Sequence, residues 1–294
     1  MARYLDPKND LTFKRVFGEH KHLCISLINS MLPLESPIVS IEYQSGELIP
    51  ELTALIRNSI VDVHCTDLAG RRFLVEMQMF WSEAFKSRVL FNASKVYVNQ
   101  LNKAKEFSLL QPVYALNFVN EIFERSPEMK DEYYHYYKIV NVKDTGKQIK
   151  GLEFLFVELP KFKPSNRAEK KLQELWLRFL TEVNEGTEKI PQELLENELT
   201  CEAVGYMETA AYSLEQLEAY DAAKLAIITE RSMMSEAKRE GEAKGEAKGR
   251  VETLERIVTD GKLGGFSVEQ LRLLTKLTVG QIEEILKRNG IGTE

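Results

Sequence analysis

The sequence predicts an α/β core followed by a helical region. Three observations carry this. Ser59–Cys65 and Arg72–Met79 are two short runs of β-branched and large apolar residues, and Asp67-Leu68-Ala69-Gly70-Arg71 between them is turn chemistry, so the pair reads as a β-hairpin. Stretches of helical period lie on both sides of that hairpin, and Pro112–Val119 is so nearly apolar throughout that it reads as a central strand. From Ala168 onward the apolar residues follow helical spacing. The order through residue 119 is therefore helix, strand, strand, strand, helix, strand.

The elements follow in turn. Asp10 is placed to cap a helix that begins at Leu11 and carries Phe13, Val16 and Phe17, then Leu23, Ile25, Leu27, Ile28 and Met31, with an interruption near Gly18 and an end at Pro33. Ile38–Gln44 alternates as a strand, and residues 47–58 read as a loop with some helical character. After the hairpin, Ser82–Lys105 returns to the helical period. Phe85, Val89, Ala93, Val96, Tyr97 and Leu101 form its apolar stripe, and Arg88, Asn92, Lys95 and Asn99 mark another face. Tyr133–Val142 and Leu152–Leu159 are two further strands. Ala168–Val183 is an amphipathic helix with Leu172, Leu175, Trp176, Phe179 and Leu180 inward. Residues 191–234 read as all-helical, and Ser267 and Thr278 are good caps for two short helices at the end.

Composition narrows the function classes. The chain has 294 residues, 44% hydrophobic and 29% charged, which is the profile of a globular protein with a sizeable core. A net charge of −6 gives no whole-molecule attraction to nucleic acid or anionic membrane, so any DNA contact has to use local basic patches. Cys24, Cys65 and Cys201 are odd in number and show no paired spacing, which argues against a disulfide framework and a zinc site and suits a reducing cytoplasm. The opening residues carry no apolar run of signal length, and no stretch approaches the roughly 20 apolar residues of a membrane span.

The hairpin holds the chemistry. Side chains alternate across a strand, so Asp62 and His64 share one face, and Leu74, Glu76 and Gln78 share one. If Thr66 pairs with Arg72, Asp62 falls opposite Glu76. Two carboxylates on core strands are costly unless a cation offsets them, and a hard divalent ion takes oxygen ligands. The competing reading is an edge hairpin with a solvated polar face. His64 is read as a structural histidine, and His20, His22 and His135 show no ligand spacing.

The order α-β-β-β-α-β, with Asp on the second strand and Glu-x-Gln on the third, resembles the PD-(D/E)XK nuclease superfamily. More narrowly it resembles the recombination-promoting nuclease or putative transposase (Rpn) family of bacteria. The stretches that carry the resemblance are Asn9–Gly18, Val61-Asp62-Val63, Val75-Glu76-Met77-Gln78, Arg88 with Tyr97 and Gln100, and Glu158-Leu159-Pro160-Lys161-Phe162. The resemblance implies a central mixed sheet and Mg²⁺-dependent hydrolysis of DNA phosphodiesters, with Mn²⁺ as an alternative ion and no small-molecule cofactor. Asp62, Glu76 and the main-chain carbonyl of Met77 would hold the ion. Gln78 stands where the superfamily usually has Lys; it can position water but brings no positive charge, and Lys14, Arg88 and Lys95 are the candidates to supply one. Asp10, Tyr97 and Gln100 are further candidates to support the site, though Asp10 also reads as a cap and Tyr97 as core. Lys161 and Lys163 can meet DNA or simply face water. The alternative function is a catalytically weak or inactive DNA-binding or protein-interaction module on the same fold.

Four regions follow: a nuclease-like domain at 1–165, a helical region at 166–235, a low-complexity segment at 236–250 and a small helical tail at 251–294. In the third, the tetrad Gly-Glu-Ala-Lys repeats. Glycines 241, 245 and 249 each cost a helix about 1 kcal/mol, while Glu240 with Lys244 and Glu246 with Arg250 are favourable pairs. The segment reads as a charged, partly helical linker or as a seam where glycine lets two chains approach. The tail helices are expected to pack through Leu271, Leu274, Leu277, Ile282 and Ile285, and to serve packing on the body or self-association rather than DNA contact.

Overall fold

The computed structural model describes residues 3–44, 62–102, 106–164 and 171–292. Residues 47–58, and 59–61 of the first hairpin strand, lie outside the described residues.

The chain opens on a short helix, α1 (Asp10–Phe13), which runs into a π-helical turn at Lys14–Gly18 and then α2 (Lys21–Met31). The cap is Asn9, not Asp10: the Asn9 side chain accepts from the Leu11 amide. Both residue types cap well, and the helix simply starts one position earlier than the sequence reading placed it. Among the described residues six strands follow: β1 (Ile41–Tyr43), β2 (Val63–Asp67), β3 (Arg72–Gln78), β4 (Val113–Val119), β5 (Tyr134–Asn141) and β6 (Asp144–Glu158), with α3 (Glu83–Asn99) between β3 and β4. They form one mixed sheet in the order β1-β2-β3-β4-β6-β5. β3, β4 and β6 are parallel, and β1, β2 and β5 add antiparallel edges. The expected α-β-β-β-α-β core is present. β1 is shorter than the alternating stretch Ile38–Gln44, and β6 starts earlier than Leu152, forming a bulged hairpin with β5.

Alternation along the strands divides the core into two layers. On one face Phe73 and Val75 of β3 join Val63, Leu116 and Phe118 beneath Phe13, Phe17, Leu27, Trp176 and Phe179. On the other, Leu74 joins Val113, Ala115, Val119 and Phe156 beneath Phe85, Val89, Ala93 and Val96 of α3. Glu76 and Gln78 therefore lie on the face that α3 covers, near its first turns. Asn92, expected on a polar face, is buried, whereas Leu101 of the apolar stripe is exposed.

Beyond the sheet come α4 (Lys171–Glu182), α5 (Gln192–Glu196), α6 (Glu198–Gly205) and the 50-residue α7 (Leu214–Leu263), then α8 (Val268–Thr275) and α9 (Val279–Arg288). The Gly-Glu-Ala-Lys segment is helical and lies inside α7. Met1–Ile227 and Ile228–Glu294 are two compact units. The second has its own small core of Val258, Leu271, Ile282, Ile285 and Leu286. Leu274, expected in that core, points to water, and Val258 and Leu286 take part instead. A methyl group at Gly261 would meet Leu271 Cδ2 at 2.6 Å, so glycine here leaves room for the buried Leu271 side chain. Ser267 and Thr278 each form a reciprocal capping box, with Gln270 and Gln281. Among the described residues no helix is long and apolar enough to cross a membrane.

Candidate active site

The hairpin register is the expected one. Thr66 pairs with Arg72 and Val63 with Val75, which sets Asp62 opposite Glu76 one residue beyond the ladder. Asp62 is fastened to β3 directly: its Oδ2 accepts from the Met77 amide at 2.7 Å. In a strand the N–H and C=O of one residue point to the same side, so the Met77 carbonyl is turned toward Asp62 as well. Two carboxylates and a main-chain carbonyl are thus placed at the C-terminal end of β3. Among the described residues no group of three or more His, Cys, Asp or Glu side chains gathers as a ligand set. The donors on offer here are two carboxylates and a carbonyl, all hard oxygens, a set that suits a hard divalent ion.

Burial dominates the electrostatics. It pushes the Asp62 carboxyl up to about 8, against the Met77 amide, which lowers it; the neighbouring Asp10 adds to the rise and Lys14 opposes it. Burial likewise pushes Glu76 up to about 7, with Arg88 and Lys14 opposing. Glu76 is buried and Asp62 largely so, and neither is fully compensated by protein cations, so a divalent ion has two carboxylates to offset here.

Two cations reach this end of the sheet from opposite layers. Arg88, on the second turn of α3, donates through Nη2 to Gln78 Oε1 at 3.0 Å and lies 3.9 Å from Glu76 Oε1. Lys14, on the π-helical turn, has Nζ 2.6 Å from Asp10 Oδ1 and 3.6 Å from Asp62 Oδ1. Burial works against the Lys14 charge, but Asp10 and Asp62 outweigh it and hold its pKa above the ordinary value. Lys14 stays charged although its ion pair does not bring Asp62 down, because at 2.6 Å Asp10 is its main partner. Gln78 is held at both ends, since its Nε2 also donates to the Phe80 carbonyl at 2.8 Å.

The other residues named from sequence are elsewhere. Lys95 places its ammonium 6.0 Å from the Phe91 ring centroid and, among the described residues, makes no ion pair with Asp62 or Glu76. Gln100 exchanges hydrogen bonds with the Gln111 main chain at 2.9 and 3.0 Å, tying the end of α3 to the start of β4. At about 1.5 Å per residue, Gln100 is roughly 18 Å along the helix from Arg88. Tyr97 is at the same far end, its ring 3.3 Å from where a β-carbon on Gly151 would stand. Helical spacing put both on a face common to the site but not at its height along the axis. His64 is buried in β2, opposite Leu74.

Sequence reasoning missed a second polar centre. Glu158, at the end of β6, is fully buried and accepts from the Phe123 and Glu124 amides at 2.6 and 3.1 Å. Its other oxygen meets His135 Nε2 at 2.8 Å and Lys161 Nζ at 2.6 Å. Lys161, read as a DNA contact or a solvated end, is instead buried in this ion pair, because Pro160 turns the chain back over Glu158. His135 comes from the paired strand, and no local spacing announces it. The loop Glu158 holds is also fastened to the site: Asn120 N donates to the Gln78 carbonyl, and the Trp81 amide to Glu121.

A mixed sheet with acidic residues at the end of its central hairpin and a following helix that returns a cation to them defines a nuclease-like α/β protein. The profile of the PD-(D/E)XK nuclease family transposases matches residues 7–237, and the chain belongs to that family. Neither a curated protein nor a solved structure matches it significantly.

Proposed function

We propose that the protein is a divalent-metal-dependent DNA endonuclease that hydrolyses phosphodiester bonds at Asp62, Glu76 and the Met77 carbonyl. The observation that carries the reading is the register that sets Asp62 opposite Glu76 at one strand end, Glu76 buried and Asp62 largely so, with both carboxyls raised. A bound Mg²⁺, or Mn²⁺ in its place, would make water easier to deprotonate and neutralise charge gathering on the phosphate. The chain's own residues do the rest. Met77 N–H fixes the Asp62 carboxylate, and Arg88 fixes the Gln78 amide and offsets Glu76. Pairing of chains through the C-terminal helices, a role in recombination or mobile-element movement, and residence in a bacterial cytoplasm, which suits its free cysteines, complete the proposal. Plasmid cleavage with and without Mg²⁺ tests it. The wild type should nick or linearise DNA only with the ion, and Asp62→Ala or Glu76→Ala should lower the rate by roughly a thousandfold, about 4 kcal/mol of barrier.

A second reading, a binding module with little or no cleavage, is favoured by one observation: both ends of the Gln78 amide are already engaged, by Arg88 and the Phe80 carbonyl, which leaves it one N–H and one lone pair, and no charge, for a water. Metal titration separates the two, since a pure scaffold should bind no ion with loss on Asp62→Ala.

A further inference from the structure

The cation that Gln78 does not supply has a source outside the hairpin. Lys14 lies 3.6 Å from one Asp62 oxygen while Met77 N–H takes the other, and it acts electrostatically on Glu76 as well. Its stem rises from a π-helical turn, an irregularity that recurs at functional sites, and Gly18 at the end of that turn brings it against Val63, next to Asp62. Arg88, the other cation at this end, is already bonded to Gln78. Lys14's closer partner, Asp10, is a largely exposed carboxylate one helical turn earlier. An exposed pair of this kind contributes little stability, so it leaves the ammonium free to move at small cost.

We propose that Lys14 is a catalytic residue whose ammonium meets the scissile phosphate, and that Asp10 is a positioning residue that draws this ammonium away from Asp62 so that a divalent ion can reach the carboxylates. This rests on the cleavage reading above. In the step, the water oxygen forms a new bond to phosphorus, the bond from phosphorus to the leaving sugar oxygen breaks, and the leaving oxygen takes a proton. The proton lost by the attacking water passes to solvent. Lys14 keeps its own protons and donates hydrogen bonds to a non-bridging oxygen as negative charge gathers there.

The two residues should shift metal binding in opposite directions, and cleavage at saturating metal separates a catalytic Lys14 from a merely electrostatic pair. Lys14→Met removes a positive charge that competes with the ion, so Mn²⁺ binding to the DNA-free protein should tighten about tenfold. Cleavage at saturating metal should nevertheless fall by about a hundredfold or more. Asp10→Asn leaves the ammonium to settle on Asp62, so Mn²⁺ binding should weaken. Lys14→Arg keeps the charge and should retain cleavage within about tenfold of wild type. Mn²⁺ titration followed by electron paramagnetic resonance gives the affinities, and single-turnover cleavage gives the rates. Thermal melting of each variant verifies folding, and because Lys14 is part-exposed the Arg variant preserves the test if Met destabilises the turn. Unchanged or weaker Mn²⁺ binding in Lys14→Met, or cleavage within about threefold of wild type at saturating metal, overturns the proposal. Asp62→Asn and Glu76→Gln separate the two levels. If they bind Mn²⁺ as the wild type does, the carboxylate site itself is wrong. If they lose it while Lys14→Met changes nothing, only the Lys14 assignment fails.

Discussion

Asp62 and Glu76 are ordinary carboxylates in the unfolded chain, near 3.8 and 4.5, and stand near 8 and 7 in the folded one. The folded state therefore binds more protons than the unfolded state across that interval, and stability must fall as pH rises. The contribution is complete below about pH 4, declines through neutrality and is gone above about pH 8. Melting of the metal-free protein should show this decline, on the order of several kcal/mol across the range, and Asp62→Asn should flatten it and raise the melting temperature at pH 8. Mg²⁺ should stabilise most at the alkaline end, where the carboxylates are ionised, and least near pH 5. A metal-free melting temperature that rises from pH 5 to pH 8 would contradict the burial assigned to this pair. The pair was legible in the sequence because strand period and turn chemistry together set its register. Arg88 was legible as a candidate only through the family resemblance. Lys95 was not excludable from sequence, because its distance from the site depends on where α3 crosses the sheet.

At the scale of elements, the three-strand hairpin and helix were readable from period alone, while the far side of the sheet was not. β5 and β6 were visible as strands, but the bond of His135 to Glu158 joins residues 23 positions apart and follows from pairing alone. That network explains why the Glu158–Phe162 run is built as it is: one carboxylate ties β6, β5, the turn after β6 and the loop after β4. Glu158→Ala should strand a buried lysine and two loop amides, at about 3–5 kcal/mol. Urea unfolding gives the loss, and a variant that loses less than about 1 kcal/mol would show that the network is not a structural anchor. Because Asn120 and Glu121 connect the same loop to Gln78 and Trp81, cleavage should fall in the folded variant too. In α7, the glycine penalties did not break the helix. Ion pairs Glu240–Lys244, Lys238–Glu242 and Lys248–Glu252 span the segment at 3.4–3.9 Å, although Glu246–Arg250, read from spacing, is not among them. Exposed pairs of this kind contribute only a few tenths of a kcal/mol each, so the pairs alone do not explain why the segment is helical.

At the scale of the whole molecule, the proposed chemistry and the tail belong to different units. Every residue assigned to the site, from Asp10 to Arg88, falls within Met1–Ile227. The Ile228–Glu294 unit has a five-residue buried core of its own and leaves Leu273, Leu274 and Val279 on its surface. Five buried side chains are few for independent stability, and apolar residues left outside such a core are where another surface is expected to cover them. α9 carries Glu283 and Glu284 beside Lys287 and Arg288, a charge balance ill-suited to lying on phosphates. This charge balance argues against DNA reading by α9, and pairing of chains remains the proposed role of the tail. A chain that stops before Glu236 keeps all the proposed site residues. It should fold, bind Mn²⁺ within about twofold of the full chain, and retain cleavage, while light scattering should report a smaller assembly or cleavage patterns an altered target choice. A truncated protein that stays folded but loses metal binding would place the tail in the active site and end this division of labour.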